Sequence, residues 1–196
     1  DSVCRGRQRV NYPKCNVCLE KVEPGGFAQS HAEPKLSINI FKSYDIRGKY
    51  PSELNDTTAH KIGTSIALFF REKNPDVKNI VVGRDMRLSS KSLANALIEG
   101  LCTAGLNVIN VGVVSSEMTY FAVGHYKYDG GVMVTASHNP AEYNGFKLCR
   151  EQAIPVSFET GIDRISKLTK QYHPLRGEHL GKVIVSDIFA DYKKHV

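Results

Sequence analysis

The chain has 196 residues, 41% of them hydrophobic and 23% charged, with a formal net charge of +6. That length is expected to give one well-buried domain, or one domain and an appendage, rather than a large multidomain enzyme. No window approaches the ~20 apolar residues of a membrane span, and the basic residues are scattered rather than gathered in a stripe. Neither a membrane nor a nucleic-acid partner is therefore expected, whereas a small anionic ligand needs only a few placed cations.

Residues 1–36 are rich in Arg, Pro, Gly and Gln and show no sustained period, which reads as a flexible leader of unknown role. Cys15-Asn16-Val17-Cys18 has the pair spacing of a zinc knuckle, with Cys4 and His31 as further candidate ligands. A structural zinc site normally shows two such pairs, and one is present, so the leader reading leads. Cys102 and Cys149 sit in apolar segments and read as small core residues of a reducing cytoplasm.

From Ile38 the chain becomes regular. A helix is expected from Thr57 to Lys73, capped by Asn55 or Asp56, with Ile62, Ile66, Phe69 and Phe70 on one face. Asn79–Gly83 reads as a strand buried on both faces. A second helix is expected from a Ser89 cap to Gly105, then a strand at Leu106–Val111 and a helix at Ser116–Tyr126. Gly131–Thr135 is the next strand. Gly145–Cys149 reads as an edge strand after a turn at Tyr143-Asn144-Gly145. A helix at Glu159–Thr169, a strand at Lys182–Val185 and a helix starting near Asp187 complete the pattern. Such alternation predicts a three-layer α/β/α sandwich with a mixed, largely parallel sheet.

Ligands of such sheets bind beyond the carboxyl ends of the strands, and Thr135-Ala136-Ser137-His138-Asn139-Pro140 lies there. The run delivers the Ser137 hydroxyl from a strand into a polar loop, where it can act as a nucleophile. Arg47, before Gly48 and after a short expected strand, can fork onto phosphate oxygens. Arg84 and Asp85 are expected to form a structural ion pair. Lys147 can point back at the serine loop, or serve only as an edge-strand lysine. A Ser137–His138 hydrolase pair is disfavoured, because neighbours on an extended segment point to opposite sides and no Gly-x-Ser-x-Gly elbow occurs.

Four segments stand in an order and spacing that resemble a known family: Phe41-Lys42-Ser43-Tyr44-Asp45-Ile46-Arg47-Gly48, Gly83-Arg84-Asp85, Thr135 through Pro140, and Tyr143-Asn144-Gly145-Phe146-Lys147. The region from about Phe41 to Val196 is similar to the first domain of the α-D-phosphohexomutases, and Arg150 through Val156 resembles the bacterial phosphomannomutase branch. The resemblance implies that Ser137 is carried as a phosphoserine and exchanges its phosphoryl group with a phosphorylated hexose through a sugar bisphosphate. It implies Arg47, Lys147, Tyr44 and Asn139 as phosphate- and substrate-binding residues, and Lys147 and His138 as candidates for proton transfer. Lys147 is favoured for that transfer, with His138 and Asn139 orienting the loop or the phosphoryl oxygens. Mg²⁺ is implied too, held by Ser137 through its phosphate, and glucose or mannose 1,6-bisphosphate as activator. The family's aspartate-rich metal loop and its sugar-recognition and late phosphate loops have no counterpart here. Residues 37–196 are therefore expected to be a first domain with the start of a linker helix, nearly inactive alone. The alternative is a non-catalytic phosphosugar- or protein-binding module, which exposed Ile188, Phe189 and Tyr192 on the terminal helix would suit.

Overall fold

Short apolar runs alternating with amphipathic helices leave the backbone one economical solution, a sheet with helices on both faces. The computed structural model describes residues 38–174 and 180–196, so Cys4, Cys15, Cys18 and His31 lie outside the described residues. The strands are β1 (Ile46–Lys49), β2 (Asn79–Arg84), β3 (Asn107–Val113), β4 (Gly130–Val134), β5 (Tyr143–Arg150) and β6 (Val183–Val185). Their order in the sheet is β1-β5-β4-β2-β3-β6. β4, β2, β3 and β6 run parallel, while β5 is antiparallel to β4 and β1. The helices are α1 (Asp56–Lys73), α2 (Ser90–Thr103), α3 (Ser116–His125), α4 (Asp163–Lys170) and α5 (Phe189–His195). Among the described residues no helix is long and apolar enough to cross a membrane.

The period-2 alternation of the strands sorts two cores. Ile46, Ile80, Val82, Val132, Val134, Phe146 and Leu148 join the α1, α2 and α4 side chains in the larger one. Val81, Ile109, Val111 and Cys149 join Ala122 and Val123 of α3, and Ile188, in the smaller. In α1 the fully buried Ile62, Ile66 and Phe69 recur at helical spacing, and the Asn55 side chain accepts from the Thr58 amide at 3.0 Å to cap the helix. α1 and α2 approach closely because a Cβ on Gly63 would stand 2.3 Å from the Leu97 carbonyl oxygen, and one on Gly100 2.2 Å from that of His60. The expected helix at Glu159–Thr169 opens as a wide turn over Phe158–Ile162, closed by a Ser157–Thr160 capping box, before α4 proper.

Several expectations need correction. β5 is an interior strand, paired on both sides, and β1 is the edge. Tyr143, Asn144 and Gly145 are inside β5 rather than in a turn, and Arg47 is inside β1 rather than after a strand. Lys147 is thus no edge-strand lysine. Ser89 precedes α2 but makes no side-chain cap, since its hydroxyl accepts from Asn144 Nδ2 at 2.8 Å instead. On the terminal helix side, Ile188 is buried and the Tyr192 ring packs edge-on against Phe121; Phe189 alone of the three is strongly exposed.

Candidate functional site

β4 leaves the sheet at Val134 and its chain turns into the serine loop, so Ser137 lies beyond the carboxyl end of a central parallel strand. Thr135, itself buried, accepts the Ser137 amide on its hydroxyl at 2.9 Å. Ser137 has φ 54, the left-handed region that L-residues other than Asn and Asp seldom enter. Its side chain is exposed, and its Oγ lies 3.1 Å from His138 Nδ1. The expectation that neighbours point apart therefore fails, because the segment is not extended at Ser137. Among the described residues His138 has no carboxylate partner, so the pair lacks the third member that orients the base in a hydrolase triad. Asn139 fixes the loop internally: its Nδ2 donates to the Ala136 carbonyl at 2.8 Å.

Arg47 and Lys147 arrive from β1 and β5. Directly opposed residues share a sheet face, and Arg47 opposes Gly145 while Lys147 opposes Met133. Lys147 is two residues from Gly145, so both cations stand on the face that carries α3. Gly145 is required here: a Cβ would meet the Ile46 carbonyl oxygen at 2.1 Å and prevent β1 from pairing. Asp45, which sequence reasoning left without a role, is the hub. It is 4% exposed, and its Oδ2 accepts from Arg47 Nη2 and, at 3.2 Å, from Nε, with Lys147 Nζ 3.9 Å away. Among the described residues its buried Oδ1 has no hydrogen-bond partner. The adjoining cleft of about 530 Å³ is lined by Lys42, Tyr44, Asp45, Arg47, Glu53 and Asn139 among others. Tyr44 is 77% exposed at its rim. The structure thus gathers Tyr44, Arg47 and Asn139 at one cleft, ties Lys147 to the same aspartate as Arg47, and keeps Ser137 and His138 on the loop that supplies Asn139.

A second network holds the loop from β2. Asp85 pairs with Arg87 at 3.3 Å, not with Arg84, whose guanidinium donates to the Asp85 carbonyl. Arg87 donates through Nη1 to the carbonyls of Pro140 (2.8 Å) and Tyr143 (3.1 Å), and through Nη2 to those of Ser137 (2.8 Å) and Asn139 (2.6 Å). Asp85 Oδ1 accepts from the Arg87 amide at 3.0 Å and from the Ser90 hydroxyl, and Asn144 Nδ2 donates to Ser90 Oγ at 2.9 Å. Sequence reasoning missed Arg87 and Asn144, since backbone acceptors leave no motif. Behind the site, burial pushes the Cys149 thiol up to about 12, in keeping with a core residue.

Among the described residues no group of three or more His, Cys, Asp or Glu is placed to hold a metal ion. They do not form a Mg²⁺ cage by themselves.

Fold and site define an α/β/α domain that presents a serine on a strand-end loop next to an arginine-bearing cleft. Residues 39–175 match the model of the phosphoglucomutase/phosphomannomutase α/β/α domain I, and the chain belongs to that family. A Vibrio cholerae protein named phosphomannomutase is 42% identical over 159 residues, which are 81% of this chain and 34% of that protein. A Klebsiella pneumoniae phosphomannomutase is 41% identical over 157 residues, 79% of this chain and 97% of that protein. The crystal structure of a phosphoglucomutase/phosphomannomutase family protein from Burkholderia thailandensis superposes with a TM-score of 0.70 at 31% identity, covering 80% of this chain and 35% of that one. The chain spans about a third of the length of the first-ranked relatives.

Proposed function

We propose that the chain is the phosphoserine-bearing part of a cytoplasmic phosphomannomutase-type phosphohexomutase, interconverting mannose 6-phosphate and mannose 1-phosphate, with glucose phosphates as further candidate substrates. The observation that carries this reading is an exposed Ser137 hydroxyl, 3.1 Å from His138 Nδ1, on the loop whose Asn139 lines the Arg47 cleft. Family membership supports the same assignment.

In the proposed reaction a hydroxyl oxygen of the sugar monophosphate attacks the phosphorus of phosphoserine 137. The new O–P bond forms as the P–Oγ bond breaks. Oγ leaves with the electron pair and takes a proton from the imidazolium form of His138, while Lys147, entering this step as the free amine, takes the proton of the attacking hydroxyl; both protons move back in the return half. Arg47 faces the phosphoryl oxygens with the part of its guanidinium that Asp45 leaves open, and Tyr44 and Asn139 border the sugar phosphate. The bound bisphosphate then returns its other phosphate to Ser137, which regenerates the phosphoenzyme. Mg²⁺, when bound to the phosphoserine, supplies charge neutralisation; its remaining ligands and the sugar contacts belong to the further domains of the family.

Incubation with glucose 1,6-bisphosphate followed by intact-mass spectrometry tests the reading. The expected result is the gain of one phosphate, lost in Ser137→Ala. A folded chain that takes up no phosphate, or one whose uptake survives Ser137→Ala, would overturn it.

A further inference from the structure

The phosphoserine reading gives Arg87 no task, yet among the described residues no other side chain makes as many hydrogen bonds to the serine loop. A guanidinium has five N–H donors in a fixed plane. In Arg87 the four Nη hydrogens are matched by the carbonyls of Ser137, Asn139, Pro140 and Tyr143, and Nε faces Asp85 at 3.3 Å. No donor remains for a substrate phosphate. This separates Arg87 from Arg47, which lines the open cleft.

We propose that Arg87 is the positioning residue of the phosphoryl-transfer loop, setting the conformation from which Ser137 gives and receives its phosphate. The proposal rests on the phosphoserine reading and adds a residue that acts through the backbone. Two physical effects support it. First, the planar fork crosses the loop at four points, and the loop has few other ties. Its other ties are local: the Ser137 amide on the Thr135 hydroxyl, the Asn139 amide and side chain on the Ala136 carbonyl, and the Tyr143 amide on the Pro140 carbonyl. The fork thus fixes the left-handed backbone at Ser137 from outside the loop. Second, a trans peptide sets its N–H opposite to its C=O. Turning the Ser137 and Pro140 carbonyls onto Arg87 turns the His138 and Ala141 amides away from it. Carbonyl lone pairs, which would repel a phosphoryl group, are thereby gathered on the guanidinium. The fork is itself anchored: Asp85 binds the Arg87 amide and the Ser90 hydroxyl, and Asn144 ties Ser90 to β5. The loop takes its shape from the start of α2 as much as from its own strands.

The test compares the chain with Arg87→Ala and Arg87→Lys in two readouts, the rate of phosphate uptake on Ser137 from glucose 1,6-bisphosphate and amide hydrogen exchange over residues 136–143. Misplacement of a reacting group by an ångström slows a reaction ~100-fold, which is the loss expected for Arg87→Ala. Arg87→Lys keeps the charge near Asp85 but loses the fork, and about a tenfold loss is expected with an unchanged melting midpoint. Exchange over 136–143 should quicken in both variants, and millimolar guanidinium ion should restore uptake in Arg87→Ala. An Arg87→Lys variant that matches the parent in uptake and exchange overturns the proposal; it decides the matter also where Arg87→Ala fails to fold. A parent chain that takes up no phosphate sinks the phosphoserine reading instead, and the exchange comparison then still judges the clamp by itself.

Discussion

Two aspartate–arginine pairs flank the serine loop, and they are built with opposite polarity. In the β1 pair the carboxylate is the buried partner, with Asp45 side-chain exposure of 6% against 31% for Arg47. In the β2 pair the guanidinium is the more buried, 16% for Arg87 against 23% for Asp85. A buried carboxylate needs the cation to compensate it and holds that cation at the mouth of a cleft, where the remaining N–H groups face solvent or ligand. A guanidinium turned inward meets backbone carbonyls, and all its donors are taken. The same two residue types thus make a ligand-facing charge in one place and a loop clamp in the other. Which member is buried decides the role.

The sharpest way to break this contrast is Gly145→Ala. The added Cβ, 2.1 Å from the Ile46 carbonyl oxygen, strains β1 away from β5 and should lower stability by about 3 kcal/mol in urea unfolding. The Arg47 half of the site should go with it, while amide exchange around Arg87 stays protected. A change under about 0.5 kcal/mol would show that β1 is not held by this register. Removing each carboxylate sharpens the comparison further. Asp45→Asn takes the compensating charge from two cations in a buried setting and should cost about 2 kcal/mol, reduced from the fully buried case by the exposure of Arg47. Asp85→Asn, more exposed and able to keep its hydrogen bond from Ser90, should cost about 1 kcal/mol. Equal losses would remove the asymmetry. The smallest effect lies outside both pairs. The Tyr126 hydroxyl donates to Asp191 at 2.6 Å, tying α3 to α5, and this bond raises the phenol from 10.0 to about 12. A group with a raised folded value adds stability below its unfolded value and loses it as pH climbs through the folded one. Parent and Tyr126→Phe should therefore differ in unfolding midpoint below about pH 10 and converge by about pH 12. A difference that persists at the alkaline end would contradict the assignment.

Most of the sandwich was legible because its central strands carry dense apolar signals and its helices a regular apolar period; of the caps read from sequence, Asn55 accepts an amide of the first turn of α1, while Ser89 makes no cap. The position of Ser137 at the carboxyl edge followed from that alternation alone. What escaped reading was β1. Ile46-Arg47-Gly48-Lys49 has a single large apolar residue, and its strand character comes from pairing with β5 rather than from propensity. Without β1, β5 looked like an edge, and Asn144-Gly145 looked like a turn dipeptide. Tertiary contacts override that signal, since Asn144 is fully buried and reaches Ser89 and Ser90 of the α2 start. The Ser137–His138 contact escaped for another reason. It depends on one left-handed φ, and nothing in the residue types on either side announces it.

The parity of β5 carries a last consequence. Along this strand Phe146 and Leu148 enter the larger core, and between them Lys147 stands on the opposite face. Stability and chemistry are written in alternate letters of one word. A length change in the loop ahead of Tyr143 keeps the phase of β5 but breaks the Arg87 fork, which spans the Ser137 to Tyr143 carbonyls. An insertion or deletion within the strand exchanges the two faces, sending the ammonium toward the core and a phenyl ring toward the cleft. A length change should therefore cost the loop its clamp ahead of Tyr143 and the fold its core beyond it.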